Sequence, residues 1–272
     1  MLKRRRLNAP LVIGGSLVIL VVLAAVFAPV LATHEPTSQR LVHRLRPPGF
    51  EGYVLGTDNL GRDVWSRLVY GSRISLMVGG LAVGISVGIG LVLGLISGFM
   101  RGWVDMLIGR LFDIIMAFPT ILLALAIVAA LGPSLTNSII AIGIASSPRF
   151  GRVVRGMVLS VREREYVHAA TALGSSTWRI LGLHVLPNVV SPLIVLASLG
   201  VGTAILVEAS LSFLGLGVAP PTPTWGSMIT DGKQYMDSAP WISIFSGLAI
   251  MVSVLGFNLF GDGLRDFLDV RT

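Results

Sequence analysis

The chain has no cysteine, which excludes disulfides, thiolate metal sites and cysteine nucleophiles and leaves its redox compartment unmarked. Charge is scarce: 13% of its 272 residues are Asp, Glu, Lys or Arg, against about a quarter in soluble domains. Long stretches carry none at all. They run between Arg6 and Glu35, Arg73 and Arg101, Asp113 and Arg149, Arg179 and Glu208, and Asp237 and Asp262. No G-x-x-x-x-G-K-[ST] phosphate loop occurs, so the chain does not supply the ATP site which that loop builds. His34, His43, His168 and His184 are scattered without metal-ligand spacing. No catalytic residue, metal or cofactor is expected, and the chain does not read as an enzyme.

What is present is apolar. Hydrophobic residues make up 53% of the chain, and the mean hydropathy is +0.81. This is the composition of a membrane protein. A net charge of +7 would suit nucleic acid, but the basic residues cluster at the ends of apolar runs instead of forming one stripe. Membrane lipid, not nucleic acid, is the expected contact.

A spanning helix needs roughly 20 apolar residues. The third charge-free stretch is too long for one crossing and is broken by Leu-Gly-Pro-Ser at 131–134, a turn signal. Six spans follow, at about 10–32, 74–100, 111–131, 135–147, 188–207 and 241–261, the fourth short and continuing into the charged loop behind it. Lys and Arg bias sets orientation. With the N-terminus inside, the inner segments hold Lys3 to Arg6, Arg101, Arg110, the six arginines of the long loop, Arg265 and Arg271. Only Arg40, Arg44, Arg46, Arg62, Arg67, Arg73 and Lys233 fall outside. Both termini are therefore expected in the cytoplasm. The basic start resembles a signal peptide, but its apolar run is long and Ala32 stands at a poor cleavage site, so the first helix is expected to stay.

The loop at 149–187 is the most informative segment. It carries Arg149, Arg152, Arg155, Arg162, Glu163, Arg164, Glu165 and Arg179 between apolar spans, a place where a soluble partner can grip. Glu163 to Leu173 is rich in helix formers. Gly174 suits a left-handed helix end, Ser175 or Ser176 suits the next N-cap, and the second helix, about Thr177 to Val185, is expected to stop before Pro187. Ala169 and Ala170 allow close approach. An amphipathic loop lying on anionic lipid is the plainer alternative.

EYVHAATALGSSTWRILGLHVLP, from Glu165 to Pro187, resembles the coupling loop of permease subunits in ATP-binding-cassette importers. GTDNLGRDVWSRLVYGSRISL (Gly56 to Leu76), EASLSFLGLG (Glu208 to Gly217), PTPTWGSMI (Pro221 to Ile229) and NLFGDGLRDFLDVR (Asn258 to Arg271) are similar to the dipeptide/oligopeptide/nickel permease family, specifically its C-type subunit. The likeness runs from about Gly56 to the C-terminus. One departure is His168, at a position commonly acidic in the motif, with Glu165 near enough to supply the charge.

The resemblance implies an all-α integral membrane protein with six transmembrane helices, the type I importer permease fold, in a bacterial or archaeal cytoplasmic membrane. Its partners would be a second homologous permease, two ATP-binding cassette ATPase subunits and an extracytoplasmic substrate-binding protein. The cargo is usually a di- or oligopeptide, with nickel, glutathione or oligosaccharide as alternatives. ATPase coupling would fall to Glu163, Glu165, Tyr166, Val167, His168, Ala169, Ala170, Thr171, Ala172, Leu173 and Gly174. Expected organisation is a segment 1–50 (cytoplasmic tail, first helix, start of an outer loop), an outer amphipathic segment 51–75, a five-helix core 76–262 and a cytoplasmic tail 263–272.

Several features are read from the residues themselves. Gly80, Gly84 and Gly88, with Gly90, Gly94 and Gly98, repeat by four and put small residues on a helix face, for internal packing or a partner helix. Glu208, Phe213, Trp225 and Trp241 are candidate gate or binding-protein contacts, with Glu208 either an ion pair to the partner permease or an interfacial carboxylate in water. Asp113 reads as interfacial, and Asp262 as the end of the last span, where Gly261 and Gly263 would permit a turn. Gly56 to Ser75 reads as a surface helix with Arg62, Asp63, Arg67 and Arg73 solvated. An ion-driven secondary transporter is the rival class, which predicts inverted repeats and intramembrane charges that are not evident. A non-transporting membrane anchor would leave the Pro- and Trp-rich stretch around 216–241 without a task.

Overall fold

Charge-free runs of Leu, Ile, Val and Ala can satisfy their backbone hydrogen bonds in lipid by forming helices. The computed structural model, which describes residues 8–268, is helical apart from its connecting segments, the longest being 32–63, and among the described residues the extended pairings are isolated bridges at Phe50–Tyr53 and Thr57–Asp63. In chain order the helices are α1 (Ala9–Val26), α2 (Ala28–Leu31), α3 (Val64–Met100), α4 (Gly102–Met116), α5 (Thr120–Leu131) and α6 (Leu135–Arg162). Then come α7 (Glu165–Ala172), α8 (Thr177–Ile180), α9 (Leu186–Phe213), α10 (Trp225–Lys233) and α11 (Trp241–Leu268). Each of the six expected spans coincides with helix. Four stretches, α1, α3, 177–213 and α11, are long and apolar enough to cross alone; α4 and α5 are apolar enough as a pair, bent by 87° in the manner of a broken span or a re-entrant loop. α6 matches α11 at 28 residues but carries Arg149, Arg152, Arg155 and Arg162.

Close approach organises the packing. α3 lies along α6, where a Cβ added at Gly94 would stand 2.6 Å from the Gly151 carbonyl oxygen and one at Gly98 would stand 2.8 Å from Val158. Ser86 ties the pair by donating to the Gly143 carbonyl at 2.9 Å. Gly80, Gly84 and Gly88 have no neighbour within 4 Å of where a Cβ would stand. The two sets of glycines therefore serve different faces, one packed within the chain and one open.

Five expectations need correction. The third span is not one straight helix from 111 to 131, because the chain breaks at Pro119, which caps α5 in extended conformation. No separate surface helix covers 56–75: α3 starts at Val64 and runs unbroken past position 75, and Arg62, Asp63 and Arg67 are buried, not solvated. Pro187 does not end a helix. The Leu186 N–H reaches back five residues to the Leu181 carbonyl in a π-turn at Leu181–Val185, which carries helix through the proline. Glu163 caps the end of α6, so the helix expected from Glu163 begins at Glu165, as α7. Gly261 and Gly263 make no turn. α11 continues to Leu268; a Cβ at Gly263 would collide with the Leu11 backbone at 2.3 Å and one at Gly261 with the Leu199 side chain at 2.6 Å, so Gly263 lets α1 approach α11 and Gly261 lets α9 approach it. Lys3 to Arg6 and Arg271 lie outside the described residues.

Candidate coupling surface and translocation site

Two regions at opposite ends of the helices carry the candidate residues, with a cavity between them.

At one end, α7 and α8 project from the junction of α6 and α9. Gly174 has φ +78°, the left-handed conformation expected of it, and Ser176 is the extended N-cap of α8, though its side chain makes no capping bond. Val167 and Ile180 are buried and seat the two helices on the core. Tyr166 leans on the His184 ring and accepts a hydrogen bond from Asn188 at 3.3 Å. Glu163, Glu165, His168, Ala169, Thr171, Ala172 and Gly174 are exposed, and Ala170 is half-buried against the core. Leu173 and Trp178 are 87% and 78% exposed, apolar groups with no partner among the described residues. His168 stands 3.9 Å from Glu163, and Glu163 pairs with Arg101.

The arginines before this segment face inward along the chain instead of forming a free loop. Arg155 holds Asp105 of α4 through two bonds of 2.6 Å, Arg152 pairs with Asp113, and Arg162 donates to the Phe99 carbonyl. Asp113 is thus an ion-pair partner on α4. Pro148, inside α6, removes one N–H, and Ser147 Oγ donates to the Ile144 carbonyl thus freed, at 2.9 Å.

Arg149 differs. It lines a cavity of about 460 Å³ where the α4–α5 break meets α3, α6 and α9, alongside Ser86, Thr120, Ser146 and Thr203.

At the other end, Asp58, Arg62 and Arg67 are each at most 4% exposed. Asp58 Oδ2 takes Arg62 Nε at 2.6 Å and Arg67 Nε at 3.4 Å, and Arg62 reaches Asp231 of α10 at 3.2 Å. Burial pushes the Asp231 carboxyl above its ordinary value, with Arg67 and Arg62 pulling it back. Asp63 caps α3 by accepting the Ser66 N–H, and it also accepts the Thr33 hydroxyl at 2.8 Å.

Trp225 is buried and donates its indole N–H to the Leu68 carbonyl at 2.9 Å; Trp241 donates to the Thr57 carbonyl at 3.2 Å. Both rings hold the region together. Phe213 is exposed beneath the Lys233 ammonium. Glu208 is 1% exposed, so it is not an interfacial carboxylate in water. One of its oxygens accepts Ser212 Oγ at 2.6 Å, and the other has no partner among the described residues.

Reading the sequence alone passed over Asp58, Asp231 and Asp105. Asp58 lies in a quoted string, but Asp231, the second carboxylate on Arg62, is 169 residues from it, a distance no local pattern bridges.

The described residues thus form an apolar helical core with an exposed helical elbow at one end and a buried charge cluster at the other. Residues 90–272 match the family of binding-protein-dependent transport system inner membrane components. The chain belongs to that family. Residues 1–48 also match the N-terminal transmembrane domain of oligopeptide transport permease C, so the likeness begins well before Gly56.

The permease is 50% identical over 269 residues to the dipeptide transport system permease protein DppC of Alkalihalophilus pseudofirmus, covering 99% of this chain and 88% of that one. It is 48% identical to the protein of that name in Escherichia coli K12, covering 97% and 90%. Among solved structures it is similar to the inward-facing MetNI methionine ABC transporter, with TM-score 0.61, 18% identity, and 74% and 95% of the two chains covered. An amino acid ABC transporter solved with histidines gives a TM-score of 0.57 at 17% identity, covering 72% and 91%. These two establish the fold, which is the type I permease fold expected. The chain is a membrane permease subunit of an ABC importer, whose ATPase is a separate subunit.

Proposed function

We propose that this permease moves di- or oligopeptides delivered by an extracytoplasmic binding protein, and that α7 and α8 couple the movement to ATP hydrolysis in a partner. Peptide cargo is supported by the names of its relatives, dipeptide permeases at 50% and 48% identity. Coupling rests on one observation above others: Leu173 and Trp178 stand exposed on short helices whose opposite faces are anchored by Val167 and Ile180. A rigid seat with an apolar, unpartnered outer face transmits a push from a docked protein, with Glu163 to Gly174 as the contact. Differential contact with two ATPase states supplies the energy for alternating access.

Placed in a bacterial or archaeal cytoplasmic membrane by the positive-inside bias, the α7–α8 end faces the cytoplasm, and so do both termini. A second homologous permease would complete the path, and each permease would dock one of two ATPases. Phe213, Trp225, Trp241 and Glu208 belong to the opposite end, where the binding protein docks. Only Phe213 among them is available for direct contact, so the other three act there by fixing the surface.

Co-purification tests the coupling claim. Detergent-solubilised wild type should bring down the ATPase and the second permease together. The double change Ala169→Arg with Gly174→Pro should lose the ATPase and keep the permease. If the ATPase stays bound to the double variant, α7 is not the coupling element. If the wild type binds no ATPase and transports in liposomes by itself, the secondary-transporter class takes its place.

A further inference from the structure

We infer that Arg149 binds a carboxylate of the cargo inside the membrane, at the cavity formed by the break between α4 and α5. Resting on the peptide reading, the carboxylate is the C-terminus of the translocated peptide. Three observations carry this. First, of the four arginines on α6, Arg152, Arg155 and Arg162 have acceptors within the chain, whereas Arg149 has none among the described residues. Second, Arg149 is the single charged residue lining a cavity of about 460 Å³, and the nearby carboxylates of α4, Asp105 and Asp113, are held by Arg155 and Arg152. Third, Arg149 stands in the interior of α6, not at its end. Arg149 lies about 21 Å along α6 from Leu135 at 1.5 Å per residue, within the roughly 30 Å of a hydrocarbon core.

A cation at that depth is costly unless it faces a water-filled path or an anion. Here it faces space lined by the hydroxyls of Ser86, Thr120, Ser146 and Thr203, with apolar walls from Val83, Ile142 and Phe150. That combination suits a peptide terminus: a planar guanidinium for the carboxylate, hydroxyls for adjacent amides, and apolar surface tolerant of different side chains. The first turn of α5 opens on the same cavity without a side-chain cap and adds backbone donors, but the assignment stands on the guanidinium. A single charge at mid-path, with no complementary acidic residue, leaves the remainder of the cargo unread, as a carrier of varied peptides requires.

The test uses the whole transporter, purified in detergent with both permeases and its ATPases, and two probes differing only in charge: N-acetylalanine and its amide. Wild type should bind the carboxylate about tenfold more tightly than the amide, as a charge-assisted guanidinium contact allows. Arg149→Gln should erase that preference, Arg149→Lys should keep part of it, and Arg162→Gln, which frees no carboxylate, should leave it intact. Equal binding of the two probes by wild type overturns the assignment, and so does an Arg149→Gln transporter that still prefers the carboxylate. Dialanine uptake into liposomes, with the binding protein present, is measured alongside. A wild type that discriminates the probes but takes up no dialanine refutes the peptide reading and leaves the carboxylate site standing.

Discussion

The two ends of this permease handle charge in opposite ways. At the end formed by residues 32–63 and 214–240, Asp58, Arg62 and Arg67 are withdrawn from solvent and locked to one another, with Asp231 closing the cluster. At the α7–α8 end the Arg101–Glu163 pair is about half exposed. Buried charges are strongly held because separation leaves one of them unpaired in a poor solvent. Exposed pairs can be exchanged for water or for another protein's groups at little cost. One end is therefore a fixed cap, and the other keeps its charges available.

Removing one member of the buried cluster should produce the largest effect. Asp58→Ala leaves Arg62 and Arg67 without their shared carboxylate and should cost about 3–5 kcal/mol. That loss should be visible as a sharply lowered melting temperature of the detergent-purified complex. A melt indistinguishable from wild type would mean that water reaches the cluster and that the contrast between the ends is unfounded. Across the molecule, Asp105→Asn weakens the two-bond grip of Arg155 at a partly exposed site, and about 1–2 kcal/mol is expected. The same melting experiment ranks the two, and an Asp105 loss exceeding that of Asp58 would reverse the comparison.

How far each end could be read from sequence follows the same division. The helices announce themselves through charge-free runs, and the elbow through Gly174, whose φ of +78° fulfils a local requirement. Spacing by four announced the glycine row of α3 but could not say which face met α6, since that depends on Gly143 and Gly151 more than fifty residues away. The charged strings were harder. Arg62 and Arg67 looked like part of a solvated face because, within α3, nothing pairs with them; their partners, Asp58 and Asp231, come from a loop and from α10. Pro187 and Asp262 misled for a related reason. Local stop signals were overruled, by a π-turn at Leu181–Val185 and by the packing of α1 on Gly263. Arg149 was grouped with its neighbours because sequence shows four arginines alike, and only the fold assigns acceptors to three.

Within the cap itself, Asp231→Asn should be milder than Asp58→Ala. Burial already raises the Asp231 carboxyl above its usual range despite Arg62 and Arg67, so the site tolerates a neutral group, and an amide oxygen can still accept from Arg62. About 1 kcal/mol is expected. If Asp231→Asn unfolds the complex as readily as Asp58→Ala, the four charges act as one indivisible unit and the hierarchy within the cap disappears.

The smallest effect belongs to Glu163→Gln. Its pair with Arg101 is exposed on both sides, so Coulomb attraction in high dielectric is nearly offset by the entropy of holding two long side chains. Stability should change by no more than about 0.5 kcal/mol, and added salt should move the wild-type and variant melts alike. This insensitivity sharpens the comparison, because it frees Glu163 for a second readout. Arg101 has φ +55° at the junction of α3 and α4, and His168 lies within 3.9 Å of the same carboxylate. Glu163 therefore bridges the α3–α4 junction to α7. If ATP-driven uptake falls in Glu163→Gln while the melt stays put, the exposed pair is a link in transmission. If both uptake and melt match wild type, the pair is decorative, and transmission runs through the apolar seats of Val167 and Ile180.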